Sequence, residues 1–330
     1  MAARRVLVTG VSRDLGGRLA QILSADPAVQ QVVGVDTVPP PGDIGRAQFV
    51  RADIRNPLIA KVIATSAIDT VVHMNVLATP VGAGGRAAMK ETNVIGTMQL
   101  LAACQKAASV RTLVVKSTAA VYGTSPRDPA LFTEDTEPRA LPRSGYAKDA
   151  VEVEGYVRGF ARRRPDVAVT VLRFTNFIGP DFDSTLSRYF GLPVAPTVFG
   201  FDPRLQLCHA DDALAVLQLA VGGARPGVFN VAGDGVLLLS QALRRLGRLS
   251  IPVLPPAVSL TGRVFRRFGM ADFSPEQMGF FEHGRCLDTT ALRDKFGYAP
   301  RYTTAEAFED YARRRPGPLR SASLAAAAHA

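Results

Sequence analysis

Residues 6–17 read VLVTGVSRDLGG, and this stretch decides the fold. The β-forming residues 6–9 predict a short buried strand that ends at Gly10. A further glycine, Gly16, opens the predicted helix 16–24, where the missing side chain lets the helix pack closely on the strand. The stretch therefore predicts a strand, a tight turn and a helix whose first N–H groups can bind an anion.

An acidic residue, Asp36, closes the next predicted strand, 32–36. A carboxylate about 20 residues beyond such a turn can accept hydrogen bonds from the ribose hydroxyls of an adenosine. A glycine turn alone is weak evidence, but the turn together with Asp36 predicts a bound nicotinamide dinucleotide. Its diphosphate would lie at the N-terminus of the first helix.

Short β-branched runs alternate with helical stretches through the first half of the chain. The predicted elements are strands 48–52, 70–73, 112–117 and 167–173 and long helices 89–107 and 146–164. This alternation predicts an α/β fold, a Rossmann-type doubly wound parallel sheet with a smaller C-terminal substrate lobe. We expect a dinucleotide-binding domain over residues 1–179, completed by strands from about 205–235, then a substrate lobe over 180–314 and a disordered tail over 315–330.

The composition is that of a soluble enzyme, with 47% hydrophobic and 21% charged residues among 330. The net charge of +10 favours anionic ligands. Arginines concentrate at 162–164 and 313–315, the ends of two predicted helices, where cations suit the helix dipole. Without an aromatic-interleaved basic motif, nucleic acid is not an expected partner.

The cysteines Cys104, Cys208 and Cys286 lie far apart without metal-ligand spacing. We expect three buried thiols in a reducing cytoplasm and no metal site. The sequence shows neither a signal peptide nor an apolar run of transmembrane length. We therefore expect a cytoplasmic protein.

Nine short pieces follow one another along residues 6–311. They are the Thr9-Gly10 turn, ADIR at 52–55, VVH at 71–73, NVIGT at 93–97, STAAVYG at 117–123, Tyr146, LRFTN at 172–176, Gly179-Pro180 and HADD at 209–212. In this order they resemble the extended short-chain dehydrogenase/reductases, the family that includes UDP-glucose 4-epimerase.

The resemblance implies a role for particular residues. Tyr146 would transfer a proton and Thr118 would orient the reacting oxygen. The implied cofactor-binding residues are Gly10, Ser12, Arg13, Leu15, Gly16, Asp36, Asp53, Ile54, Met74, Asn75, Asn93, Ser117, Tyr146 and Asn176.

Two departures from the family concern charge. Arg13 replaces the middle glycine of the turn, so its side chain must point outward, towards the adenosine ribose. An arginine there favours the 2′-phosphate of NADP, whereas Asp36 repels one, and the balance favours NAD.

The second departure is Ala150, which stands where the family has a lysine four residues after the tyrosine. Lys148 lies about 200° around the helix from Tyr146 and cannot replace it. Lys116 shares a strand face with Thr118, so it could supply the charge near Tyr146; alternatively, it emerges into solvent.

Three functions remain open from the sequence. The first is an NAD-dependent epimerase or dehydratase acting on a nucleotide-linked sugar. The second is a dehydrogenase or reductase on an apolar alcohol or ketone, which the basic amphipathic stretch 260–268 favours; that stretch could pack on the core or contact a membrane surface. The third is a non-catalytic dinucleotide sensor or scaffold, suggested by Ala150. A homodimer is a further expectation.

Overall fold

The computed structural model describes residues 4–78, 84–139, 141–142, 145–254 and 275–314. Its strands are β1 (Arg4–Thr9), β2 (Val29–Asp36), β3 (Gln48–Arg51), β4 (Thr70–His73), β5 (Thr112–Thr118), β6 (Ala168–Phe174), β7 (Asn176–Ile178), β8 (Val194–Val198), β9 (Arg204–Leu205), β10 (Leu207–His209), β11 (Gly227–Val231), β12 (Leu237–Leu238) and β13 (Leu249–Val253).

The helices are α1 (Asp14–Ala25), α2 (Leu58–Thr65), α3 (Arg86–Lys90), α4 (Thr97–Lys106), α5 (Gly145–Arg163), α6 (Thr185–Phe190), α7 (Ala210–Gly222), α8 (Leu239–Leu246), α9 (Pro275–His283), α10 (Thr290–Asp294) and α11 (Thr304–Arg314). A π-helical segment, Glu91–Gly96, joins α3 to α4, and a 3₁₀ turn, Ala119–Tyr122, follows β5.

A seven-stranded parallel sheet forms the centre, in the order β11-β6-β5-β4-β1-β2-β3. The predicted Rossmann-type α/β fold is therefore confirmed. Because every strand runs the same way, all their carboxyl ends meet at one edge. The strand order reverses between β1 and β4, which opens a crevice at that edge.

Three hydrophobic clusters account for most of the core. One covers the sheet face under α1 and α7, and another covers the opposite face under α2, α4 and α5. A third lies in the second half of the chain, around the aromatic residues Tyr189, Phe190 and Phe308. The strand runs of the first half are apolar throughout because helices cover the sheet on both faces.

The predicted single helix over residues 89–107 differs in the structure. Helical residues begin at Arg86, and the π-helical segment Glu91–Gly96 interrupts the regular pattern. Inside that segment the Asn93 side chain bonds the backbone of Leu77, and the hydroxyl of Thr97 donates to the Asn93 carbonyl. Side-chain bonds of this kind are a known cause of local departures from α-helical geometry.

The cysteines and the helix lengths can be compared with the sequence expectations. All three cysteines are buried free thiols. Within the described residues, no helix has the length and apolar character needed to cross a bilayer. The stretch 260–268 and the tail 315–330 lie outside the described residues.

Candidate active site

The turn after β1 has a backbone that only glycine accommodates easily. Gly10 has φ of 79°, and a Cβ there would lie 3.4 Å from the backbone of Asn75. At Gly16 a Cβ would lie 2.2 Å from the Gly10 carbonyl oxygen. The turn is therefore folded tightly onto α1, and Leu15 beside it is buried. This arrangement leaves the N-terminal N–H groups of α1 at the crevice.

Asp36 is tied to the same turn. Its carboxylate accepts hydrogen bonds from the backbone N–H of Ser12 at 3.1 Å and of Thr37 at 2.7 Å. The Ser12 hydroxyl in turn donates to the Val38 carbonyl. A carboxylate has about four lone-pair sites, so Asp36 keeps acceptor capacity for a ribose diol. The close-packed glycines and this acid fit a dinucleotide.

The segment that follows β4 is fixed by buried polar side chains. Asn93 accepts from the Leu77 N–H at 2.7 Å and donates to the Leu77 carbonyl at 3.0 Å. Asn93 thus fixes the backbone of the segment that follows β4. Met74 and Asn75 are nearly buried, and the Met74 N–H donates to the Thr9 hydroxyl.

His73 lies beneath that segment between two hydroxyls. Its Nδ1 is 3.0 Å from Thr9 Oγ1 and its Nε2 is 2.8 Å from Thr97 Oγ1. Burial, followed by the charge of Lys116, lowers the pKa of His73 to about 3. The imidazole is therefore neutral and structural at physiological pH.

Asp53 and Ile54, which the resemblance implies bind the cofactor, follow β3. Ile54 is buried, and its side chain fills the space above Gly96. Asp53 is half-exposed and binds the guanidinium of Arg55 through both carboxylate oxygens. That hydrogen-bonded arginine lowers the pKa of the Asp53 carboxyl.

Tyr146 and Thr118 come together at the carboxyl edge. Both line a cavity of about 320 Å³, together with Asn176, Gln206 and Arg285. Burial raises the pKa of Tyr146 to about 12, whereas a hydrogen bond with Thr118 and the charge of Arg285 act in the opposite direction. The phenol is therefore protonated in the free protein.

Ser117 does not join this group through its side chain. Its hydroxyl donates to Glu154 at 2.6 Å on the opposite face of β5. Glu154 also forms a buried ion pair with Arg173 at 2.7 Å, and Arg173 donates to the Tyr122 hydroxyl. These contacts link β5, α5 and β6 beneath the site.

Lys116 is partly buried, which differs from the reading that it emerges into solvent. Its Nζ lies 3.3 Å from the Val76 carbonyl oxygen, at the end of β4. Burial, with a smaller effect from the Arg13 charge, lowers the pKa of Lys116 to about 8. Arg13 itself is exposed at the start of α1. The two cations are therefore close enough to interact electrostatically.

The position of the family lysine is filled by apolar packing. Ala150 is 1% exposed and lies in a cluster with Ala119, Tyr122, Phe132 and Leu287. A longer side chain at this position would start inside this cluster.

Arg285 and Gln206 line the cavity but escaped the sequence analysis. Arg285 lies in a segment far along the chain from Tyr146, and no spacing rule connects the two. Gln206 lies in the stretch 201–206, which matches no functional motif. Only the fold brings these residues beside the tyrosine.

Comparison with known proteins places the chain in a family. Residues 6–232 match the NAD dependent epimerase/dehydratase family. An uncharacterized protein of Mycobacterium tuberculosis is 50% identical over 314 residues, which are 94% of this chain and 84% of that protein.

Solved structures share the fold at low sequence identity. UDP-glucose 4-epimerase of Thermotoga maritima, solved with UDP-glucose, has a TM-score of 0.72 at 21% identity over 94% of this chain and 98% of the other. The dTDP-glucose 4,6-dehydratase of Streptomyces venezuelae, solved with NAD, has a TM-score of 0.73 at 22% identity over 94% and 96%. The chain belongs to the NAD-dependent epimerase/dehydratase family.

Proposed function

We propose that this protein is an NAD-dependent epimerase or dehydratase that acts on a nucleotide-linked sugar. The observation that carries the proposal is the Tyr146–Thr118 pair, which lines a cavity after the carboxyl end of β5. A cavity of about 320 Å³ is at the lower end of the usual range for small-molecule sites, about 300–1,000 Å³. The family match supports the reaction class.

The residues of the cavity divide the chemistry between them. When bound, NAD supplies a hydride acceptor. Once ionised, the Tyr146 phenol would accept the hydroxyl proton of the substrate while the carbon that bears this hydroxyl loses a hydride, and it would return the proton at a later step. The Thr118 hydroxyl bonds the same phenol and holds its oxygen towards the cavity.

The cofactor would be held mainly by backbone groups and two cations. The Gly10 turn and the start of α1 would bind the diphosphate, while Asp36 would bind the adenosine ribose. The positive charge of Arg13 contributes to lowering the pKa of Lys116, and a bound anion such as the cofactor diphosphate would act in the opposite direction. We therefore assign Lys116 to the cofactor diphosphate or its nicotinamide ribose rather than to Tyr146.

A second candidate function rests on the cavity wall. Among its lining residues are Leu141, Phe174, Leu186, Phe280 and Phe281. This apolar lining favours a dehydrogenase or reductase acting on an apolar alcohol or ketone.

A substrate panel tests both candidates. The purified protein with NAD is mixed with UDP- and dTDP-linked hexoses, and separately with apolar secondary alcohols. Products are identified by NMR and transient NADH by absorbance. We expect conversion of a nucleotide sugar without net NADH release. Steady NADH release with the alcohols alone would favour the second candidate, and NAD binding without turnover on either set would favour a sensor or scaffold.

A further inference from the structure

Arg285 occupies a place in the cavity that the proposed reaction leaves unexplained. Its Nε and Nη2 both donate to the Gly123 carbonyl, at 3.0 Å and 2.7 Å. The guanidinium lies 5.9 Å from the Phe280 ring centre. These contacts fix a cation against the wall of the cavity that Tyr146 and Thr118 also line.

Only some of the Arg285 N–H donors form hydrogen bonds with described residues. An arginine has five N–H donors, and within the described part of the chain its hydrogen bonds reach a single carbonyl, that of Gly123. No described residue accepts from the remaining donors, and the side chain lines the cavity. Burial lowers the pKa of Arg285 to about 10, so the side chain stays charged at neutral pH.

Among the residues that the structure describes, Arg285 is the cation that interacts electrostatically with Tyr146. On α5 itself, Asp149 is paired with Arg86 at 2.7 Å and Lys148 lies 3.9 Å from Glu152. Across the cavity, Arg285 interacts electrostatically with both Tyr146 and Asp128. Ala150 offers no charge.

We propose that Arg285 is a positioning residue that stabilises the ionised phenol of Tyr146, the task that the family gives to the lysine absent at Ala150. This inference rests on the proposed function of Tyr146. The positive charge comes from the loop before α10 instead of from the next turn of α5. An opposite charge within a few ångströms typically shifts a pKa by about 1–3 units.

The test follows the protonation of residue 146 directly. A fluorinated tyrosine, whose phenol titrates at lower pH than tyrosine, is incorporated at position 146 and observed by ¹⁹F NMR over pH. In Arg285→Met the midpoint should rise by about one unit or more. Arg285→Lys should lie between that variant and the wild type. Asp128→Asn should lower the midpoint, because it removes an acid that opposes the arginine charge.

Arg127→Met is the matched control, since Arg127 is an exposed cation next to Asp128. It should leave the midpoint unchanged. NAD affinity and circular dichroism establish that each variant is folded. The pH profile of kcat/KM should shift in the same direction as the NMR midpoint.

An unchanged midpoint in folded Arg285→Met would overturn the proposal, and so would an Asp128→Asn shift in the upward direction. If Arg285→Met does not fold, the proposal is tested by the directions in which Arg285→Lys and Asp128→Asn shift the midpoint. The titration needs no substrate. Its result can therefore be interpreted even if the substrate panel shows no turnover and the proposed function is wrong.

Discussion

The glycine turn after β1 and the start of α5 are built in different ways. The turn assembles its site from backbone groups and one carboxylate, Asp36, within a short stretch of chain. At Tyr146, the partners come from β5 and from the distant Arg285. Local sequence therefore encodes the glycine turn, whereas the protonation of the Tyr146 phenol depends on groups that the whole fold brings together.

The largest effect should come from breaking the local site. In Gly16→Ala, the new methyl group would meet the Gly10 carbonyl at 2.2 Å, so the turn must move. We expect NAD affinity to fall by at least about 100-fold, measured by calorimetry. Gly155→Ala is the control: it is exposed on α5 with open space around it, and its NAD affinity should not change.

The next prediction tests whether a lysine at position 150 of α5, where the family has one, can be accommodated. Ala150→Lys would place an ammonium group in the apolar cluster around Tyr122 and Phe132. We expect the free energy of unfolding to fall by about 1–3 kcal/mol and turnover not to increase. Denaturant unfolding measures the change, with Tyr156→Lys at an exposed position of α5 as the control. A stable variant with faster turnover would show that position 150 does face the cofactor.

A smaller effect should follow from removing the cation of β5. Lys116→Met should weaken NAD binding by about tenfold, the size of one charge-assisted hydrogen bond. The wild-type affinity should also depend on pH. The pKa of Lys116 is about 8 in the free protein, and a bound anion raises it. Affinity is therefore constant below pH 8 and falls as the pH rises above it.

The control for that profile is Lys116→Met itself, whose affinity should not vary in this range. His73 stays neutral there because its pKa is about 3. A pH-dependent loss of affinity that persists in Lys116→Met would assign the effect to another group.

The smallest effect concerns the choice of dinucleotide. Asp36 should repel a 2′-phosphate, so wild type should bind NAD more tightly than NADP. Asp36→Asn removes the charge and should narrow the preference by a few fold, since an exposed Arg13 lies on the same turn. Asp43→Asn, in the loop after β2, should leave the ratio unchanged. Tighter binding of NADP by the wild type would reverse the assignment.

The sequence predicted the sheet and the turn because both follow from local patterns. Strand β4 agrees residue for residue, and the predicted start of α5 at Tyr146 lies one residue from the observed start. Alternation along β5 also put Lys116 and Thr118 on one face, but it could not tell a solvent-facing lysine from a partly buried one. That outcome depends on the Val76 carbonyl, which lies in the segment after the neighbouring strand β4.

Other residues show where local patterns stop. Ser117 and Asn93 are expected at the cofactor, and no local pattern indicated that their side chains bond Glu154 and the Leu77 backbone. Arg285 had no pattern at all. Each case is decided by a contact between segments far apart in the chain, which periodicity and spacing do not describe.

The most direct test uses one variant that changes the Tyr146 region and leaves the glycine turn unchanged. Tyr146→Phe removes the phenol oxygen but leaves the glycine turn and Asp36 in place. NAD affinity should stay within about twofold of wild type, while turnover of the nucleotide sugar found in the panel falls by about 10²–10⁴-fold. The exposed Tyr156→Phe should match wild type in both measurements. Equal turnover by wild type and Tyr146→Phe would contradict the account.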